Sequence, residues 1–213
     1  MPNTAQRTGK TTLLSTAYFA PVQYYSKILS VGLGVVVERH ENFNKQSYRN
    51  RCTIYTANGL LDLIVPVAKS EKTKVPVTEV EISYDTPWQK QHFKAIESAY
   101  RRSPFFEYYI DELMMFFDRR HRYLYDLNMN ILQTVCNLTD IPFRIQESDA
   151  YRKPTDCKGI IDLRNKIHPK VTTTQTDTYV RYTQVFADRW GFKPNLSILD
   201  LLFNTGPEAK SLI

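Results

Sequence analysis

The chain has 213 residues, 42% of them hydrophobic and 13% aromatic, which is material for one large domain with a real core and excludes a disordered chain. Its formal charge of +6 comes from acids and bases mixed along the chain. That balance suits small anionic ligands and does not demand nucleic acid.

Residues 1–11 are expected to form a flexible N-terminus, with one domain over 12–213. Gly9, Lys10, Thr11 and Thr12 resemble the end of a phosphate-binding loop. The position five residues before Gly9 is Thr4 rather than glycine, and a strand-like run follows, so that reading is set aside. Residues 13–19 read as a first strand ending near Pro21. Residues 22–30 read as a short amphipathic helix, and 31–38 as a β-branched, buried strand. Strand, helix, strand is a βαβ opening, which predicts a parallel pair. The turn at Pro21 would then offer unpaired helix N–H groups to an anion.

Residues 44–51 are basic and polar, with Lys45, Arg49 and Arg51 beside Asn44, Gln46 and Asn50. They follow a strand, on the rim where α/β sheets bind ligands, and arginine grips carboxylate or phosphate bidentately. Asn58-Gly59 lies between strand-like runs at 52–57 and 60–65, which is the strongest short hairpin signal. A half-buried strand is expected at 78–83. Helices follow. The first has Thr86 as N-cap and Pro87 at its first position, with Trp88, His92, Ile96 and Ala99 on one face. The second starts at Ser103-Pro104. The third carries Leu124, Leu127, Ile131, Val135 and Leu138, with Asp126 and Asn128 expected to close buried hydrogen bonds. Residues 147–178 lack periodicity and read as irregular surface. A helix is expected from Tyr179 to Phe186, and a last short one from Ser197 capped by Asn195.

The three cysteines, Cys52, Cys136 and Cys157, form no CxxC pair and fit free thiols in a reducing compartment. The N-terminus lacks an apolar run of signal-peptide length, and no run is long enough to span a membrane, so a cytoplasmic location is expected. The four histidines show no metal-like spacing, and neither a metal nor a cofactor is expected. His92 on an apolar helical face is either a satisfied core residue or an acid/base beneath a pocket. Tyr18, Gln23 and Tyr24 flank Pro21 on the rim that would also carry 44–51.

Several segments together resemble the WbqC-like protein family: residues 17–21 (AYFAP), 48–51 (YRNR), 63–67 (LIVPV), 88–92 (WQKQH), 96–100 (IESAY), 103–106 (SPFF) and 124–128 (LYDLN). The tail at 192–207 is similar to Bacteroides-type bacterial members. The likeness spans about residues 13–212. Many relatives carry a His-Gln-Pro opening before the first helix; the equivalent stretch here is Tyr18-Phe19-Ala20-Pro21. The resemblance implies a link to bacterial surface-polysaccharide (O-antigen) gene clusters, in which some relatives are labelled glycine or aminoacyl transferases.

The expected fold is therefore α/β: a mainly parallel N-terminal sheet with a βαβ start and a β-hairpin extension, packed against C-terminal helices. The expected function is transfer of an acyl or aminoacyl group, glycyl included, onto an amino sugar in lipopolysaccharide O-antigen biosynthesis. Arg49 and Arg51 would hold an anionic donor, with Asn50, Tyr18, Gln23, Lys45 and Trp88 lining the site and His92 as base. The alternatives are a non-catalytic nucleotide or nucleotide-sugar binding protein, and a nucleic-acid binder using Arg101-Arg102 and residues 119–122. The expected partner is a small anionic ligand, a nucleotide-sugar or an aminoacyl donor.

Overall fold

The structure, a computed structural model, describes residues 11–31, 34–142, 145–157, 159–171 and 179–213. The expected flexible N-terminus lies outside these residues except for Thr11, which opens strand β1 (Thr11–Ser15). Helix α1 (Val22–Val31) leads to β2 (Val35–Glu38), which pairs parallel to β1. The βαβ opening is therefore present. Every residue of β2 is buried, as its unbroken β-branched run requires.

The predicted hairpin forms as β3 (Arg51–Thr56) and β4 (Gly59–Ile64), with Gly59 at φ 100° in the turn. Its buried face packs against α2 (Trp88–Tyr100), which in turn meets α3 (Phe106–Asp118), and α3 meets α4 (Leu124–Leu138). Both proline-led starts sit earlier than the helices themselves. Pro87, not Thr86, is the N-cap of α2, and α3 begins two residues after Pro104. The strand expected at 78–83 is reduced to isolated bridges, Val67 with Ile82 and Glu81 with Tyr123.

Residues 147–178 differ most from expectation. They are not irregular surface alone. Strands β5 (Gln146–Glu147) and β6 (Ile160–Asp162) complete a four-stranded parallel sheet of order β5-β2-β1-β6. Strands this short carry too few residues to show periodicity. The helix expected over 179–186 does not form. Tyr182 and Gln184 instead reach the buried Asp200, with Tyr182 Oη donating at 2.7 Å and Gln184 Nε2 at 2.8 Å. The chain turns helical only as α5 (Ala187–Trp190).

Helix α6 (Ile198–Thr205) is capped by Ser197, whose Oγ accepts from Leu199 N–H. Asn195 does not cap it. Its Oδ1 accepts from Gln23 N–H at the start of α1. Gly206 ends α6 at φ 56°, ahead of α7 (Ala209–Leu212), and a β-carbon there would lie 2.5 Å from the Phe105 ring. Gly206→Ala is therefore expected to cost about 2–4 kcal/mol, from strained backbone plus overpacking. Gly59→Ala meets no atom within 4 Å and should cost about 1 kcal/mol from backbone alone. Thermal denaturation of the two variants side by side checks the ranking.

Candidate active site at the carboxyl edge of the sheet

The order β5-β2-β1-β6 places β2 on one side of β1 and β6 on the other. A cleft opens at the carboxyl ends of such a pair, where the winding reverses. The cleft found there is lined by Ser15 at the end of β1 and Thr16 and Ala17 after it, by Tyr24 of α1, by Arg49, and by Leu163 and Arg164 after β6. Its volume is about 10 Å³, room for about one water.

Two arginines dominate it. Arg49 is 3% exposed and paired with Glu41: Nε donates to Oε1 at 2.8 Å and Nη2 to Oε2. Nη2 also donates to Ser15 Oγ at 2.6 Å. Arg164 is 4% exposed. It donates from Nη1 to Glu38 at 3.2 Å, and from Nε and Nη2 to the two oxygens of Asp162. That bidentate contact holds the Asp162 carboxyl below the usual carboxylate range. Glu38, wholly buried, also accepts from Ser148 Oγ and from the His40 and Arg152 N–H groups. Asp162-Leu-Arg164 falls in the stretch expected to be irregular surface, where Arg164 reads as a solvated charge; the structure buries it instead.

The segment 44–51 is exposed at 44–46 and pinned over 47–51. Tyr48 O accepts from Tyr18 N–H at 2.8 Å, which joins it to the turn after β1 as the shared rim predicted. Arg49 O accepts from Nδ2 of the fully buried Asn128 at 2.7 Å. Asn128 thus makes the buried hydrogen bond expected of it, whereas Asp126 is exposed. Asn50 Nδ2 donates to Val65 O at 3.0 Å and so supports the hairpin. Arg51 pairs with Asp62 at 3.1 Å on the hairpin surface. Lys45 is exposed at the tip.

The N-terminus of α1 is not an open anion site. Val22 N–H donates to Leu196 O, Gln23 N–H to Asn195 Oδ1 and Tyr24 N–H to Pro21 O. The C-terminal segment fills two of these donors and Pro21 the third. Gln23 itself is half-buried on that turn.

Tyr18, Trp88 and His92 form a second, interior cluster. Tyr18 Oη and His92 Nδ1 are 2.9 Å apart, and the Trp88 ring meets His92 edge-on at 5.1 Å. A ring N–H of His92 is directed at the Ile64 carbonyl, so Nδ1 accepts the Tyr18 O–H. Burial holds the imidazole neutral, with its pKa down at about 4. The lone pair that a base would use is filled by a tyrosine only 1% exposed. His92 therefore locks the turn after β1 against α2 and β4, and acts on the cleft through position.

His168 is nearer the arginines. Burial first, and then Arg49, Lys170 and Arg51, hold its pKa below the ordinary value. Its Nδ1 accepts from Lys170 N–H at 3.1 Å. The neutral ring consequently presents Nε2–H as a donor.

The basic clusters that favoured nucleic acid are partly engaged. Arg122 pairs with Glu81 at 2.9 Å, Arg101 lies 3.6 Å from Glu97, and Arg120 stacks on Tyr84. Among the described residues no cluster of His, Cys, Asp and Glu could hold a metal ion, and no helix is long and apolar enough to cross a membrane.

The His92 environment predicts a pH effect. Its pKa is about 4 folded and near 6.5 unfolded, so between these values only the unfolded chain binds the proton. Stability should be fully present above pH 6.5 and fall by up to about 3 kcal/mol as pH drops to 4. Urea midpoints across that range are expected to flatten in His92→Gln. An unchanged slope in that variant would remove this account.

The family model of the WbqC-like proteins matches residues 16–174 and 163–212, a span that includes both cleft arginines. The uncharacterized protein Rv1507c of Mycobacterium tuberculosis is 27% identical over 225 residues, covering 94% of this chain and 95% of that protein. No solved structure matches. The match over most of its length places the chain in the WbqC-like protein family.

Proposed function

We propose that this chain is a transferase of bacterial O-antigen biosynthesis that moves an acyl or aminoacyl group onto an amino sugar, with its site in the cleft between β1 and β6. The observation that carries the reading is the pair of buried arginines, Arg49 and Arg164, at the point where the parallel sheet reverses its winding. That is where α/β proteins place ligands, and guanidinium edges supply fixed donors there. The chain belongs to the WbqC-like family, and the link to surface-polysaccharide gene clusters that this resemblance implies is what suggests the pathway.

In this reading the sugar amine attacks the acyl carbon, the donor's leaving group departs with the bonding pair, and the amine proton leaves through the cleft mouth. Arg51 and the His168 Nε2–H meet the donor at the rim, with Lys45 beyond them. Asn50 holds the hairpin from which Arg51 projects. Tyr18, Trp88 and His92 set the position of the turn carrying Thr16, and Gln23 marks its far end.

The test is a mass-spectrometric assay of the purified protein with acyl and aminoacyl donors and nucleotide-linked amino sugars. An acceptor gaining the mass of the acyl group is expected. Arg51→Ala should lower kcat/KM at least tenfold and Tm only modestly, because its partner Asp62 is half-exposed and such pairs contribute little to stability. Saturable ligand binding with no product from any donor–acceptor pair would reject transfer.

A further inference from the structure

One edge of the β3–β4 hairpin is covered and the other is open. Val65 N–H donates to Asn50 O, so Cys52/Leu63, Ile54/Leu61 and Thr56/Gly59 are the hydrogen-bonded pairs of the ladder. The alternate residues turn their backbone groups outward. On β3 those groups are taken: Thr53 O accepts from Ser197 N–H, and Tyr55 N–H donates to Tyr100 Oη. On β4 the outward residues are Leu60, Asp62 and Ile64. His92 is directed at the Ile64 carbonyl, and beyond it Pro66 O accepts from Ser83 N–H. The backbone N–H and C=O groups of Leu60 and Asp62 meet no described residue.

This open edge is apolar. Leu60 is 56% exposed, Leu61 40% and Ile64 44%. Natural edge strands guard themselves with lysine, proline or a bulge. Strand β4 has none of these, and its ladder is continuous from Gly59 to Ile64. Its one charge, Asp62, is held by Arg51 and Thr53 of its own hairpin. A strongly basic or acidic partner would find no unpaired charge on the strand.

A second copy of the strand does match it. Antiparallel pairing about a twofold axis uses the same groups on both sides and closes at two chains. Charge and the open positions select the register. With Asp62 on the axis, two carboxylates would face each other, and Leu60 would meet Ile64, whose carbonyl is already engaged. With Leu60 on the axis, Asp62 would meet Asn58 of the turn instead of a strand residue. With Leu61 on the axis, Leu60 of each copy lies opposite Asp62 of the other. Every open backbone group then finds a partner, and no like charges are opposed.

We infer that β4 pairs antiparallel with β4 of a second copy of this chain, with Leu61 on the twofold axis, so that two hairpins join into one sheet. The inference is independent of the cleft and of the transfer reading.

Sedimentation equilibrium of the full chain tests it. One strand edge buries far less than the about 1,600 Å² of a standard interface, so a dissociation constant of about 10–100 μM is expected. Each copy carries a net charge of +6, so added salt should tighten the dimer by screening repulsion. Leu61→Lys should raise the dissociation constant at least tenfold, and thermal denaturation should show this exposed position leaving the fold intact. In a Cys157→Ser background, Leu61→Cys should cross-link the two copies under mild oxidation, because directly opposed residues of such a pair have Cα atoms about 4.5 Å apart. Leu60→Cys and Asp62→Cys, each offset from its own copy, should stay uncross-linked. A chain still monomeric at about 1 mM, a dimer that dissolves in salt, unchanged association of Leu61→Lys, or cross-linking at 60 or 62 in place of 61 would each overturn the inference.

Discussion

Buried arginine–carboxylate pairs hold the carboxyl edge of the sheet together. Strands β5 and β6 contribute two and three residues, too few for ladder hydrogen bonds alone to fix them. Glu38 at the end of β2 accepts from Ser148 after β5 and from Arg164 after β6. Glu41 accepts from Ser15 at the end of β1 and from Arg49. The strand ends are stitched by charge. Such pairs add little over apolar replacements of the same shape, but removing one partner costs about 3–5 kcal/mol, because a charge is left buried. They specify which strand ends meet more than they add stability.

The same stitching makes a site. The chain turns at Tyr48 and Arg49 and bends at Asn50 before β3 begins at Arg51, so the three neighbouring side chains leave it in different directions. Asn50 turns inward to Val65 O and keeps the hairpin register, while both arginines act on His168. Asn128 fixes the Arg49 backbone from α4, and the Tyr18–His92 contact fixes the adjoining turn from α2. Helices α2 and α4 thus support the cleft without lining it, whereas α1 lines it through Tyr24.

The elements readable in advance were those with local causes. The βαβ opening, the Asn58-Gly59 hairpin and the three long helices each rest on periodicity or on a residue whose backbone preference is intrinsic. The errors share a different cause. Asn195 has the right chemistry for capping the next helix, yet it caps α1, 172 positions away. Tyr182 and Val185 have helical spacing, but burial of Asp200 recruits Tyr182 and Gln184 and keeps that stretch out of a helix.

For the site, composition and position marked residues 44–51 as basic, polar and next to a strand, and the family likeness drew attention to Arg49, Asn50 and Arg51. Those inferences need only neighbouring residues. Which of these side chains would face a cleft, and what charge they would find there, depended on groups far away in the chain. Arg164 lies 126 residues from Glu38, and His92 lies 74 residues from Tyr18. Burial pairs such groups because a charge or a ring nitrogen out of water must find a partner, wherever along the chain that partner is. Local sequence therefore determined the elements and the chemical character of one segment. Tertiary structure decided that Arg49 is neutralised, that His92 is a neutral support, and that a second arginine completes the cleft.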